Sequence, residues 1–256
     1  MRRLAACLAV LTLLVLVVPG TAVASTDSTE HRILDQINAE RADRGLRPLR
    51  SDSRLWDLAG DRAARMASTG IMSHAVAGSL GASLTSRGIR RYAYGEDIGY
   101  STAARGTASS DELFTLWRNS PDHWALMMSS RYNYVGVGLA FRSSTGQTFG
   151  SIVFTEAPDI SRPRAWLVDA SRSGHTVTWR WTGADTPLQT HTSGLATYRV
   201  EARVDGGRWA SVRPRTTTTS RTVTVASGHW YGLRVRATDR AGNVGPWSSE
   251  MRIWMP

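Results

Sequence analysis

The spacing of apolar residues changes partway along the chain, and that change limits the fold more than any single motif does. Before about residue 130 the spacing is helical. Asp27 and Glu30 suggest a capping box, Ile33, Leu34, Ile37 and Arg41 follow at helical intervals, and Gly45 is a natural stop. A second stripe, Leu55, Leu58, Ala59, Arg62, Ala63 and Met66, runs from near Ser53 to Ser68 and meets Gly70. Shorter helices are expected over 80–87 and 111–118. Ser120-Pro121 then pairs a capping residue with proline at the first helical position, opening a helix through Met128. Two β-type runs, 134–141 and 148–155, flank the turn-rich 143–146 and predict a hairpin.

After Pro163 the period becomes two. Val177, Trp179 and Trp181 share one face, and Tyr198, Val200, Ala202 and Val204 alternate with polar residues, as do Tyr231, Leu233, Val235 and Ala237. Helices followed by a hairpin predict an α+β layered domain, and short alternating runs predict an antiparallel sandwich. Pro158 and Pro163 mark the join. The expected division is 1–24, 25–159 and 160–256, with the two larger parts folding independently.

Residues 1–24 read as an export signal. Met1-Arg2-Arg3 precedes an apolar run from Leu4 to Val18, then a Pro19-Gly20 break and Ala22-Val23-Ala24, a small-x-small cleavage pattern. The run is shorter than the roughly 20 residues a spanning helix needs, so no membrane anchor is expected after cleavage. Cys7 is the only cysteine and leaves with the signal, so the exported chain would fold without disulfides.

The formal charge of +10 is carried by arginine, without lysine. Residues 25–159 hold 15 arginines and 15 acidic residues, whereas residues 160–256 hold 14 arginines against 6 acidic residues. The basic excess therefore sits in the second half, where it would attract anionic partners in a salt-sensitive way: cell-envelope glycan, anionic polymer or lipid. No nucleic-acid recognition motif accompanies it. That half also holds seven of the ten tryptophans, more than a small core can bury. Trp230 and Trp254 are the candidates for glycan contact, and clamping of sandwich edges or bridging between domains is the competing use for such rings.

Several ordered fragments carry a resemblance. They are Asn38-x-x-Arg41-x-x-x-Gly45-Leu46-x-Pro48-Leu49, Met72-Ser73-His74, Gly95-Glu96-Asp97-Ile98, and the stretch 120–138 that begins Ser120-Pro121-Asp122-His123. In order and spacing these resemble the CAP family of secreted proteins (cysteine-rich secretory, antigen 5 and pathogenesis-related 1), its bacterial branch most closely. The resemblance implies an α-β-α sandwich with a cleft formed around His74, Glu96 and His123. The chain departs from the family at Asp97 and Leu126, where asparagine is usual. It also departs at Ser120, where relatives often place a second glutamate, and in 149–154, where they place a second histidine. The second half resembles fibronectin type III modules, with Trp181 as the core tryptophan and Tyr231 as a candidate tyrosine corner.

Two imidazoles and a carboxylate could hold Zn²⁺ with one open position, the arrangement a metal-dependent hydrolase acting on envelope or peptide substrates would need. The competing expectation is a hydrogen-bonded brace in a non-enzymatic, ligand-binding extracellular protein, with His123 capping its own helix. His31, His175, His191 and His229 are expected on the surface or in turns.

Overall fold

The computed structural model describes residues 26–256, and their side chains from residue 29 onward. The segment expected to be an export signal, Cys7 and the Asp27 side chain of the expected capping box lie outside the described residues. The first half is layered, with helices α1 (Thr26–Asp43), α2 (Ser53–Thr69), α3 (Leu80–Ser86), α4 (Thr107–Arg118) and α5 (Pro121–Met127). Strands β1 (Arg50–Ser51), β2 (Ala93–Ser101), β3 (Tyr134–Arg142) and β4 (Gln147–Glu156) form one sheet in the order β1-β3-β4-β2. β1 runs parallel to β3 and the other pairs are antiparallel, so β2 is an edge.

The sheet is buried on both faces, and strand alternation decides which side chain meets which helix. Val135, Val137, Leu139, Ile152 and Phe154 face the cluster that holds Ile33 and Ile37 of α1 and Leu113 and Trp117 of α4. Val153 faces Leu55, Leu58 and Ala59 of α2. Helix α2 lies unusually close to β3: a Cβ on Gly136 or Gly138 would sit 2.1 or 2.2 Å from its backbone, so only glycine fits. α2 itself starts at Asp52, whose carboxylate accepts from the Arg54 N–H at 3.1 Å, and ends at Gly70 in the left-handed region.

The spaced motif at 38–49 has a plain physical basis. Asn38 exchanges two hydrogen bonds with the Leu49 backbone, at 2.8 and 3.2 Å. Arg41 is fully buried, and its guanidinium donates to the carbonyls of Arg47, Met127 and Ser129. It thereby satisfies the exposed end of α5, and burial lowers its pKa to about 10.

The second half is a sandwich of β5 (Arg164–Ser173), β6 (Thr176–Ala184), β7 (Leu195–Val204), β8 (Ala210–Thr216), β9 (Ser220–Thr224), β10 (His229–Asp239) and β11 (Met251–Met255). Its sheets have the orders β5-β6-β9 and β11-β10-β7-β8. Val177, Trp179 and Trp181 are buried between them, opposite Val200, Leu233 and Val235. The Tyr231 hydroxyl donates to the Ala226 carbonyl, five residues back, as a tyrosine corner requires.

The loop joining β6 to β7 reaches across to the first half. Leu188 is 2% exposed and joins the cluster of Leu55, Leu84, Tyr134 and Val153. Around it the Arg47 N–H donates to Gln189, Asn133 donates to the Thr190 carbonyl, and His191 meets Glu156 at 3.0 Å and the Tyr92 ring at 4.5 Å.

Candidate functional site

The cleft opens beside the free edge of β2. Glu96 points from β2 toward α2 and is met by donors on every side. Its Oε1 accepts from Arg62 Nε and from the Ser151 hydroxyl at 2.9 Å; its Oε2 accepts from Arg62 Nη2 at 2.8 Å and lies 2.8 Å from His74 Nδ1. Four contacts fill the lone-pair sites of a carboxylate. Arg62 also donates to the carbonyls of His74 and Gly78, which fastens the loop after α2. Both charged side chains are almost wholly buried, while the His74 side chain is 60% exposed. An open cavity of 590 Å³ lies over the group, walled by His74, Ser79, Leu80 and Tyr94.

His123 stands on α5 and lines a neighbouring cavity of 450 Å³ with Met72, Ile98, Tyr100, Glu112 and Trp117. Its Nδ1 is buried without a hydrogen-bond partner, so it does not cap its helix. Burial, and then the nearby His74 charge, lower its pKa below the ordinary imidazole value. The structure thus joins His74 to Glu96 and puts His123 against the adjoining wall. Among the described residues, only Asp159, Asp185 and Asp239 form a group of three with ligand atoms within 4.8 Å of one another. Those three lie at the join between the halves, where they accept from Ser161, Ser193, Gly194 and Asn243.

The donor set around Glu96 does not fit a Zn²⁺ centre. The carboxylate a metal would use is occupied by a buried guanidinium, a permanent cation whose charge opposes a second one there. Sequence reasoning placed Arg62 on the buried face of α2 without assigning it a role. The available signal was a single arginine inside an otherwise apolar stripe, which in a buried helix implies an acidic partner.

Asp97 lies on the opposite side of the same strand. It is fully buried, and neither carboxylate oxygen has a partner among the described residues. Burial first, and the neighbouring Glu96 second, raise its pKa to about 8. A carboxyl so placed favours its neutral form.

On the second half, Trp230 and Trp254 are neighbours across β10 and β11, with ring centroids 5.6 Å apart, and are 43% and 39% exposed. His31 stacks on Trp56, His229 meets Asp205, and His175 lies near Ser227.

Residues 34–155 match the model of the cysteine-rich secretory protein family, CAP. An extracellular protein with an SCP domain from Bacillus anthracis str. Ames is similar in structure at 23% identity and a TM-score of 0.43, with 51% of this chain and 41% of that chain covered. A cysteine-rich secretory protein from Staphylococcus aureus subsp. aureus Mu50 is 20% identical with a TM-score of 0.42, covering 52% of this chain and 40% of that one. This chain thus spans about two fifths of the length of both proteins. The sixth fibronectin type III domain of a human protein is 20% identical with a TM-score of 0.27, covering 39% of this chain and 87% of that domain.

Proposed function

The first half of this chain is a CAP domain, and from that premise we propose an exported binding protein whose cleft holds a ligand without hydrolysing it. The saturation of Glu96 carries this reading. A hydrolase working through this carboxylate would need Glu96 free to bind metal or to take a proton from water. Glu96 instead spends its lone pairs on Arg62, Ser151 and His74. What remains open to a ligand is the outer face of His74, the Tyr94 ring and Leu80 in one cavity, and the apolar lining of Met72, Tyr100 and Leu116 in the other. Such a lining suits an amphipathic molecule with a polar end at His74.

The apolar leader and its cleavage pattern support export, and no described helix is long and apolar enough to cross a membrane. The arginine excess of the sandwich supports a role in holding the protein at an anionic cell envelope.

The intact protein should bind Zn²⁺ no more tightly than micromolar in calorimetry and should hydrolyse envelope peptides and glycans no faster with Zn²⁺ than with a chelator. Stoichiometric, sub-micromolar Zn²⁺ binding accompanied by metal-dependent hydrolysis would overturn the proposal in favour of the hydrolase reading.

A further inference from the structure

The outer face of the sheet β11-β10-β7-β8 is built of indoles and guanidiniums. Alternation sends Trp230, Arg234 and Arg236 of β10 outward, and the register sets Trp254 and Arg252 on one side of them and Arg199, Glu201 and Arg203 on the other. Gly232 interrupts the row for a steric reason: a Cβ there would lie 2.0 Å from Oε1 of Glu250. Without that Cβ, Glu250 reaches over β10 and pairs with Arg203 through both of its oxygens. Trp209 is then covered by Arg203 and Arg234 at 4.5 and 4.4 Å, and Trp247 by Arg234 and Arg236 at 4.4 and 4.6 Å.

Within this row the carboxylates are used up before the arginines are. Glu250 is held by Arg203, and Glu201 by Arg234 and Arg199. Arg236 has no ion-pair partner among the described residues, and the approach of Arg252 to Glu250 is only 3.9 Å. Arg252 instead lies 5.2 Å from the centroid of the Trp230 ring, beside Trp254. The face therefore ends in two exposed indoles beside the incompletely matched Arg252, with Arg236 farther along the same row against Trp247.

We propose that this face binds an acidic polysaccharide, with pyranose rings stacked on Trp230 and Trp254, a carboxylate of those rings paired to Arg252, and the carboxylate of a sugar unit farther along the polymer paired to Arg236, about 20 Å along β10. The proposal rests on the envelope-holding part of the proposed function and names its ligand and its site. Both elements of recognition have a basis in the face itself. Guanidinium forks there already grip carboxylates at Arg203 and Arg234, so a carboxylate on a ligand would meet the same chemistry. The two indole planes are tilted 51° to one another, so each exposed ring offers its own flat apolar face for a sugar ring to cover. A lipid surface fits less well. The rings lie on the strands of a sheet rather than on a projecting loop, and sinking them into a bilayer would carry the stacked guanidiniums with them.

The test measures binding of the intact protein to polygalacturonate, dextran, polyphosphate and phosphatidylglycerol vesicles. Polygalacturonate should bind, weaken with added salt, and exceed dextran at least about tenfold in affinity. Trp254→Ala and Trp230→Ala should each weaken polygalacturonate binding about tenfold while leaving polyphosphate binding unchanged. Arg236→Glu, which removes no ring, should weaken both, and an unchanged melting temperature would certify the fold of each variant. Absence of polygalacturonate binding would overturn the inference. Indifference of that binding to the tryptophans would also overturn it, leaving charge alone. Tighter, tryptophan-dependent binding to the vesicles would overturn it in favour of a lipid surface. Salt-sensitive retention on whole envelopes without polygalacturonate binding would refute the ligand named here and leave the envelope-holding role standing. His74→Ala should not alter glycan affinity.

Discussion

Arginine does opposite work in the two halves of the molecule. In the cleft, Arg62 is buried and both its charge and that of Glu96 are absorbed by the protein's own groups. On the sheet face, Arg236 and Arg252 lie against indoles, close to solvent, with little carboxylate to meet them. The composition has the same asymmetry, since the first half balances 15 arginines with 15 acidic residues and the second sets 14 against 6. A buried, matched charge holds the structure together. An exposed, unmatched one remains available to a partner.

The contrast breaks most visibly if one charge is removed from each half. Arg62→Ala strands Glu96 in the interior with a hydroxyl and an exposed imidazole, and loss of one member of a buried pair costs about 3 to 5 kcal/mol. Arg236→Ala removes a half-buried cation without a carboxylate partner among the described residues, loses its stacking on Trp247, and should cost within about 1 kcal/mol. Urea denaturation of the two variants measures both. Equal losses would mean that Arg62 is not the internal counterion described here.

The next effect concerns the seam between the halves. Leu188 comes from the sandwich yet is buried with Leu55, Leu84 and Tyr134 of the first half. Leu188→Ala should destabilise the intact chain by about 2 to 4 kcal/mol, as other buried leucine truncations do. Thermal melts should show the loss in the transition of residues 25–159. If the melt is unmoved, the loop rests on the surface of that domain instead of completing its core.

Much of this architecture was readable from residue spacing, including α2, the β3–β4 hairpin and the Val177-Trp179-Trp181 face. Strand β2 was not. Its sequence, Ala-Tyr-Gly-Glu-Asp-Ile-Gly-Tyr-Ser, has two glycines and two adjacent acids, a poor intrinsic strand. The tertiary packing favours those glycines: a Cβ on Gly95 would lie 2.8 Å from the Tyr132 hydroxyl and one on Gly99 3.0 Å from the Trp117 indole, so either ring would have to shift. The cleft was legible only where resemblance pointed, at His74, Glu96 and His123. The partnership of Arg62 with Glu96 spans 34 residues, and no local pattern encodes a contact of that range. The insertion of Leu188 was hidden for the same reason.

Asp97 gives a smaller effect of opposite sign. Its folded pKa of about 8 stands above the ordinary 3.8, so between those values the folded chain holds a proton that the unfolded chain has released. Folding stability should therefore fall as pH rises from about 4 to about 8, by up to about 1.4 kcal/mol per pH unit from this group. Asp97→Asn removes the ionisation, and should raise stability at pH 7 by about 1 to 3 kcal/mol and flatten that slope. Denaturation across pH checks both. A variant less stable than the parent at pH 7 would show that the ionised carboxylate has a partner.

The smallest effect belongs to the residues the sequence singled out first. His74 touches Glu96, but its side chain is 60% exposed and Arg62 already pairs with both oxygens of that carboxylate. A brace whose loss left a buried group unsatisfied would be worth about 1 to 3 kcal/mol. With Arg62 and Ser151 still in place Glu96 is not left unsatisfied, so His74→Ala should cost less than about 1 kcal/mol. His123→Ala removes a half-buried ring whose Nδ1 has no partner among the described residues, so the expected cost there is mainly lost packing. Neither change should alter the response of the melting temperature to Zn²⁺. A loss of several kcal/mol from His74→Ala alone would mean that the imidazole, rather than Arg62, is the group that keeps Glu96 buried, and the contrast between the two halves would then lose its first term.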